Sequence, residues 1–321
     1  MTLKVNERGG NIRRIDRRKK EKKKNRWKKI VLLIVGILFL GICTFLYSLY
    51  ADVKDTVNED VHQTVTSIDD EATQKKLSNK EPLNILLLGV DERKDDFGRS
   101  DTMIVMTLDP AEERMQMVSI PRDTRTDIIG NGTVDKINHS YAFGGSDMAV
   151  DTVENFLDIE LDYYATINME GLEQVVDAVD GVKINNDLAF KNGEFDFPEG
   201  ELELNGREAL AYVRMRKDDP EGDIGRNERQ RQVIEGIIEK GASFSGINKV
   251  RDIMDALGEN VNTNMDFAQM RTLMSDYRGA RKNMHTYQME GEGKFIDDIW
   301  YLLVSEEEIE KVHDMINSYN S

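Results

Sequence analysis

The chain is poor in the residues that staple or metallate small folds. It has one cysteine and four histidines among 321 residues. A single cysteine admits no disulfide within the chain, so the fold must rest on its own apolar core. Cys43 follows Ile42, where a lipid-modified cysteine would want a small residue, which argues against lipidation. His62, His139, His285 and His313 show no metal-ligand spacing, which removes a histidine zinc site. His139 could serve as a general base but reads more simply as a loop histidine. There is no G-x-S-x-G elbow and no P-loop, and Gly144-Gly145 reads as a turn opening a helix rather than a phosphate cradle. Internal repeats are absent, and low complexity is confined to the basic N-terminus.

That N-terminus is the strongest positive feature. Residues 30–50, IVLLIVGILFLGICTFLYSLY, form an uncharged apolar run of 21 residues behind the basic block RRIDRRKKEKKKNRWKK. At about 1.5 Å per residue a helix of this length crosses a hydrocarbon core of roughly 30 Å. Residues 1–29 hold 14 Lys and Arg against 3 acids, so a chain of net charge −17 carries −28 beyond residue 29. Basic flanks stay cytoplasmic. The reading is a cell-membrane protein with a single pass, a cytoplasmic basic tail (1–29), a transmembrane helix (30–50), an extracellular stalk (51–81) and an extracellular domain (82–321). The run is longer than a signal-peptide core of about 7–15 residues, and Tyr50 is a poor neighbour for cleavage, so an uncleaved anchor is expected. The tail fits anionic membrane lipid better than nucleic acid. It has no helix-turn-helix or zinc spacing and is too short to fold alone, and the acidic domain would repel phosphate backbones. No nucleic-acid partner is expected.

Val53, Val57, Val61 and Val65 recur every four residues, which predicts a helical stalk ended by Pro82. Residues 84–91, 103–109 and 115–123 are short apolar runs that read as buried strands. A helix over 147–159, a strand over 163–168, a helix over 171–180 closed by Gly181 and a strand over 181–185 follow. After a loop with Asn192, Gly193, Pro198 and Gly200, residues 205–216 read as a helix running into an Arg-rich turn. Helices are expected over 226–243, 246–258 and 266–279, strands over 285–290 and 300–304, and a final helix over 305–318 with a Ser305/Glu308 capping box. Alternating strands and helices predict a layered α/β/α domain around a central mixed sheet.

Charge collects where these elements end, which is where α/β folds build sites. Asp91 follows the first strand. Arg99 and Asp101 precede the second. Arg122 and Asp123 follow the third. Arg214, Arg216, Arg226, Arg229 and Gln230 crowd the segment VRMRKDDPEGDIGRNERQRQ. Arginine binds phosphate bidentately, and a carboxylate pair among arginines suits Mg²⁺ bridged to phosphate oxygens. Arg214 and Arg216 alternate, and Arg226 and Gln230 share a helix face. The mixture describes a pyrophosphate clamp, against the plainer reading of weak surface ion pairs.

The motifs NILLLGVD, RSDTM, SIPRDT, KINHSYAFGG, DGVKI, LNGREALAYVRMRK and DIGRNERQ, in this order over about residues 84–240, closely resemble those of the LytR-CpsA-Psr family. The resemblance implies a Mg²⁺-dependent phosphotransferase. It would move an anionic cell-wall glycopolymer, wall teichoic acid or similar, from a polyprenyl-pyrophosphate carrier to the C6 hydroxyl of N-acetylmuramic acid in peptidoglycan. It implies Asp91 and Asp101 as metal-linked carboxylates and Arg99, Arg122, Arg214, Arg216, Arg226 and Gln230 on the pyrophosphate, with Asp91, Asp101 and Arg122 catalytic. It also implies an apolar core pocket for the lipid tail. A pyrophosphatase using the same residues and a membrane-bound transcriptional attenuator are the alternatives.

Overall fold

The computed structural model describes residues 51, 61–91, 98–216, 219–243 and 260–319. The basic tail, the apolar run, Val53 and Val57 of the expected stalk and the whole of the helix expected over 246–258 lie outside the described residues. Among the described residues no helix is long and apolar enough to cross a membrane.

Helix α1 (Asp70–Asn79) starts where the Asp69 carboxylate accepts from the backbone N–H groups of Glu71 and Ala72, and it ends at Lys80 in a left-handed conformation. The segment before it differs from the expected stalk. Val61, Val65 and Ile68 are buried, and Val65 and Ile68 join the main core. The four-residue apolar spacing in this segment is therefore used for packing onto the domain.

Strands β1 (Leu83–Val90), β2 (Ser100–Asp109) and β3 (Arg114–Ser119) form an antiparallel meander. A small ribbon, β4 (Arg125–Ile128) with β5 (Thr133–Lys136), leads into α2 (His139–Leu157). That helix begins eight residues before the expected 147. Its two halves meet at Gly144 and at Gly145, whose φ of 64° only glycine takes without strain, so the apolar period registers only the second half. Strand β6 (Tyr163–Asn168) follows, then α3 (Met169–Ala178), capped by Asn168. Strand β7 (Val182–Asn186) pairs with β10 (Gly200–Leu204). The expected loop between them carries a further ribbon, β8 (Phe190–Asn192) and β9 (Phe195–Phe197), where Phe190 and Phe197 pack on Tyr212.

Helix α4 (Gly206–Arg214) opens on an Asn205/Glu208 capping box. Helix α5 (Asp223–Ser243) follows, then β11 (Val261–Thr263) and α6 (Phe267–Asp276), which yields to a 3-10 turn (Arg278–Lys282). Strand β12 (Asn283–Gln288) precedes a hairpin of β13 (Glu292–Ile296) and β14 (Ile299–Leu303). Strand β13 was not expected, because its residues are nearly all exposed and carry no apolar run. In α7 (Glu306–Asn317) Ser305 caps the Glu308 N–H as expected. The Glu308 carboxylate does not close the box. It accepts instead from the Tyr287 hydroxyl at 2.7 Å and the Glu290 N–H at 3.0 Å.

The main sheet is mixed and six-stranded, in the order β11-β6-β1-β2-β3-β12, with β6 parallel to β1 and β12 parallel to β3. Alternation along β1 sends Leu86, Leu88 and Val90 into the core under α2 and α7, and Leu83 and Ile85 into the core on the other face, against α6 and the 3-10 turn. Helices thus cover both faces, as expected for a layered α/β/α domain. A satellite core joins α3, α4 and the small strands to Val233 of α5.

One irregularity positions a charged residue. Gly89 pairs with Thr102 but Val90 pairs with Ser100, so Asp101 is the extra residue of a β-bulge. Bulges re-aim a side chain at a strand end. Gly89 makes this one possible, because a Cβ there would lie 2.8 Å from Thr102 Oγ1. We expect Gly89→Ala to cost about 1–3 kcal/mol and to lower Tm by several degrees, measured by calorimetry. An unchanged Tm would remove steric crowding as the reason for glycine here.

Candidate active site

Three segments converge at the edge of the sheet where β1 ends and β2 begins. The loop after β3 brings Arg122, the bulge brings Asp101, and the start of α5 brings Asp223 and Arg226. Arg122 Nη1 lies 2.9 Å from Asp101 Oδ1, and its Nη2 lies 3.4 Å from Asp223 Oδ2. Arg226 donates from Nη2 to the Asp101 carbonyl oxygen at 3.1 Å, and its Nη1 and Nε stand 3.9 and 3.8 Å from the same two carboxylates. Arg216 Nε completes the group, 3.0 Å from Asp223 Oδ1. Behind it, Lys136 Nζ holds Asp123 at 2.6 Å, and Asp123 stands 3.7 Å from Arg122 Nε. A cleft of about 970 Å³ opens onto Arg122, Arg216, Asp223 and Arg226.

The electrostatics of the two inner arginines differ. Burial works to lower the Arg122 pKa, but Asp101, Asp223 and Asp123 outweigh it, and the net shift is upward. Arg226 is pushed down, first by burial and then by the charge of Arg122, despite Asp223 and Asp101. Its Nε is buried with no hydrogen-bond acceptor. A buried cation that is under-compensated and has an unused donor is a site that gains from an incoming anion.

The expected residues divide. Asp101, Arg122, Arg216 and Arg226 meet. Asp91 lies at the end of β1, its N–H donating to the Arg99 carbonyl at 3.1 Å, beside the cleft rather than in its wall. Arg99 and Arg214 are exposed and also stand outside the wall. Arg214 ends α4, and Met215 turns extended, so it is the turn rather than a strand that separates it from Arg216. Gln230 is buried one turn beyond Arg226, and its Oε1 accepts no hydrogen bond. Arg229 holds the local structure together. Its Nη1 lies 2.6 Å from Asp219, and its Nη2 donates to the Met215 carbonyl at 2.7 Å, pinning the Arg-rich turn onto α5. The residue missed from sequence is Asp223. The signal was present, since it opens the DIGR string from which only the arginine was read. Lys136, in the KINH string, was also missed.

Among the described residues no three His, Cys, Asp or Glu side chains group as a protein-only metal cage. Asp91 and Asp101 stand at neighbouring strand ends and are hard oxygen donors. That donor set fits a Mg²⁺ ion held by one or two carboxylates and completed by phosphate oxygens and water.

A second cavity lies on the sheet face below α5. It measures about 420 Å³ and is lined by Ile85, Leu87, Met106, Leu108, Ile237 and Ile238 among other, mostly apolar residues. Arg226 and Ile237 are eleven residues apart on α5, so the helix spans roughly 16 Å from the arginine cluster to this cavity.

Residues 43–318 match the LytR_cpsA_psr family, and the chain belongs to that family. Over 290 residues it is 47% identical to the polyisoprenyl-teichoic acid–peptidoglycan teichoic acid transferase TagU of Bacillus subtilis (strain 168), covering 90% of this chain and 94% of that one. The crystal structure of B. subtilis TagU superposes with a TM-score of 0.62 at 45% identity, covering 75% of this chain and 98% of that chain. A structure of TagT bound to LIIa-WTA superposes with a TM-score of 0.65 at 31% identity, covering 75% and 91%.

Loss of a charge-assisted contact costs about 1.5–3 kcal/mol. Arg226→Ala is therefore expected to weaken binding of inorganic pyrophosphate by roughly 10- to 150-fold, measured by isothermal titration. Arg207→Ala, whose partner Glu194 is an exposed surface residue, should leave it unchanged. Equal affinities in the two variants would contradict an anion site at Arg226.

Proposed function

We propose that this protein is a transferase that attaches an anionic cell-wall glycopolymer, of the teichoic acid type, from a polyprenyl-pyrophosphate carrier to a muramic acid hydroxyl of peptidoglycan. The observation that carries the reading is the pairing of two sites along α5: a buried, under-compensated Arg226 beside Arg122 at one end, and an apolar cavity under the other. A lipid pyrophosphate has this same division of chemistry. Each buried CH₂ contributes about 0.8 kcal/mol, so a prenyl tail in the cavity would hold the carrier while the arginines hold its head. The relatives, a teichoic acid transferase and a protein bound to LIIa-WTA, support the substrate class.

In this reading Arg122, Arg216 and Arg226 bind the two phosphates, with Arg99, Arg214 and Gln230 around them. The acceptor hydroxyl oxygen forms a bond to the phosphorus that carries the glycopolymer. The bond from that phosphorus to the bridging oxygen breaks, and polyprenyl monophosphate leaves. The hydroxyl proton passes to a base, for which Asp91 and Asp101 are the carboxylates at hand. Phosphoryl transfer requires mainly alignment and charge neutralisation, which arginines supply without a covalent nucleophile. Asp91 and Asp101 would hold Mg²⁺, which would supply further neutralisation of the pyrophosphate. Charge balance favours such a cation. Asp101 and Asp223 already face Arg122 and Arg226, so a pyrophosphate entering alone must compete with two carboxylates for the same guanidinium groups.

The basic flank and apolar run place the domain outside the cell in this reading. Protease treatment of intact cells should release it, and protection of residues 82–321 would reverse the orientation. Transfer of labelled polymer to peptidoglycan by the full chain should be lost on chelation and restored by Mg²⁺. Asp91→Ala and Asp101→Ala should each lower it by orders of magnitude and abolish the Mg²⁺ response. Near-normal, Mg²⁺-responsive transfer in both variants would remove the metal from this reading.

A further inference from the structure

The arginine cluster and the apolar cavity engage a lipid pyrophosphate, but neither offers a surface for the second substrate. The hairpin of β13 and β14 does. Its turn is the pair Asp297-Asp298, both with positive φ (50° and 64°), which matches the right-handed twist of a two-residue hairpin. The hairpin is tied to the catalytic loop through its backbone. Leu302 N–H donates to the Asp123 carbonyl at 2.9 Å, and Thr124 bridges to Leu302. Trp300, two residues before Leu302, forms part of the cleft wall together with Arg122, Asp223 and Arg226.

Trp300 is held as a plate. Phe295 meets its ring edge-on, with centroids 5.2 Å apart and planes at 67°. The six-membered ring of the indole lies against Gly293, where a Cβ would stand 2.1 Å from it. Gly293 therefore lets the indole lie on the hairpin backbone. Even so, Trp300 remains 43% exposed, Phe295 67% and Ile299 48%. Large aromatic side chains left in the open beside a cleft mark a binding surface. Glu290, in the cleft wall, and the exposed turn residues Asp297 and Asp298 lie beside them.

We propose that the Trp300–Phe295 pair is a stacking platform for the acceptor glycan strand, taking the C–H face of a pyranose ring on the indole. This rests on the transfer reading above. The axial C–H bonds of a β-linked hexosamine form a flat apolar face that an amphipathic ring can cover, and its equatorial hydroxyls reach sideways to carboxylates. The occupant is chosen by charge. An acidic rim repels the anionic glycopolymer of the donor, and it equally opposes insertion of the aromatic tip into an anionic lipid surface. A glycan backbone without phosphate meets neither barrier. The backbone bond to Asp123 then fixes where the ring sits relative to Arg122, which presents an acceptor hydroxyl to the bound phosphates.

The chain has two tryptophans, Trp27 and Trp300. In full-length protein carrying Trp27→Phe in detergent, emission reports Trp300 alone. Titration with a β-1,4-linked N-acetylglucosamine tetramer should change that emission saturably, whereas poly(ribitol phosphate) and sugar-free anionic vesicles should not. By calorimetry, Trp300→Ala and Gly293→Ala should each weaken tetramer binding about tenfold, Trp300→Phe should recover part of it, and Lys294→Ala, on the opposite hairpin face, should match the parent. Binding of inorganic pyrophosphate checks that each variant is folded. Equal tetramer affinity in parent and Trp300→Ala, or an emission change with vesicles or polymer but not with the tetramer, would overturn the platform. Failure of polymer transfer by the parent protein with tetramer binding intact would instead count against the transfer reading and leave the platform standing.

Discussion

Arg122 and Arg226 stand against the same two carboxylates, Asp101 and Asp223, and this shared pairing organises the charged end of the domain. Two guanidinium groups so close repel each other, and Arg226 is the more deeply buried of the pair. The carboxylates offset that repulsion incompletely, which is why the two pKa shifts run in opposite directions. Much of the local architecture serves this arrangement. The bulge at Asp101 turns its carboxylate toward Arg122, Gly89 leaves room for the bulge, Lys136 and Asp123 stand behind Arg122, and the Arg229–Asp219 pair pins the turn that carries Arg216.

Such a cluster costs stability in isolation, since buried charges are desolvated and paired charges recover only part of that cost. The cost is reasonable where a ligand completes the balance. The apolar cavity below α5 has the complementary character: it is lined by Leu, Ile and Met side chains that leave space between sheet and helices. One helix touching both regions gives a physical basis for a substrate with a charged head and a long hydrocarbon tail. It also explains why α5 presents buried arginines in its first turns and isoleucines further on.

Where strands were buried on both faces, the sequence was legible. Residues 84–91, 103–109 and 163–168 are apolar runs with clear ends, and β1, β2 and β6 fall within a residue or a few of them. Elements that draw stability from outside themselves were not. Strand β13 is exposed and exists by pairing with β14. The first half of α2 is hidden by a glycine kink. Glu308 had the right spacing for a capping box but binds Tyr287 and Glu290, because tertiary partners won over the local one. At the site, arginines were easy to nominate by type. Which of them meet depends on the bulge and on the turn after α4, and neither leaves a periodic signal. Asp223 was overlooked because an acid in an arginine-rich string reads as a counter-ion, when here it is the residue on which three arginines converge.

The central claim is that one molecule occupies both the arginine cluster and the cavity, and native mass spectrometry of the full-length protein released from membranes tests it most directly. The account predicts a co-purified adduct whose mass fits a polyprenyl phosphate or pyrophosphate, retained by the parent protein and depleted in Arg226→Ala. A parent protein carrying only bulk phospholipid, or an adduct undiminished by loss of Arg226, would contradict it.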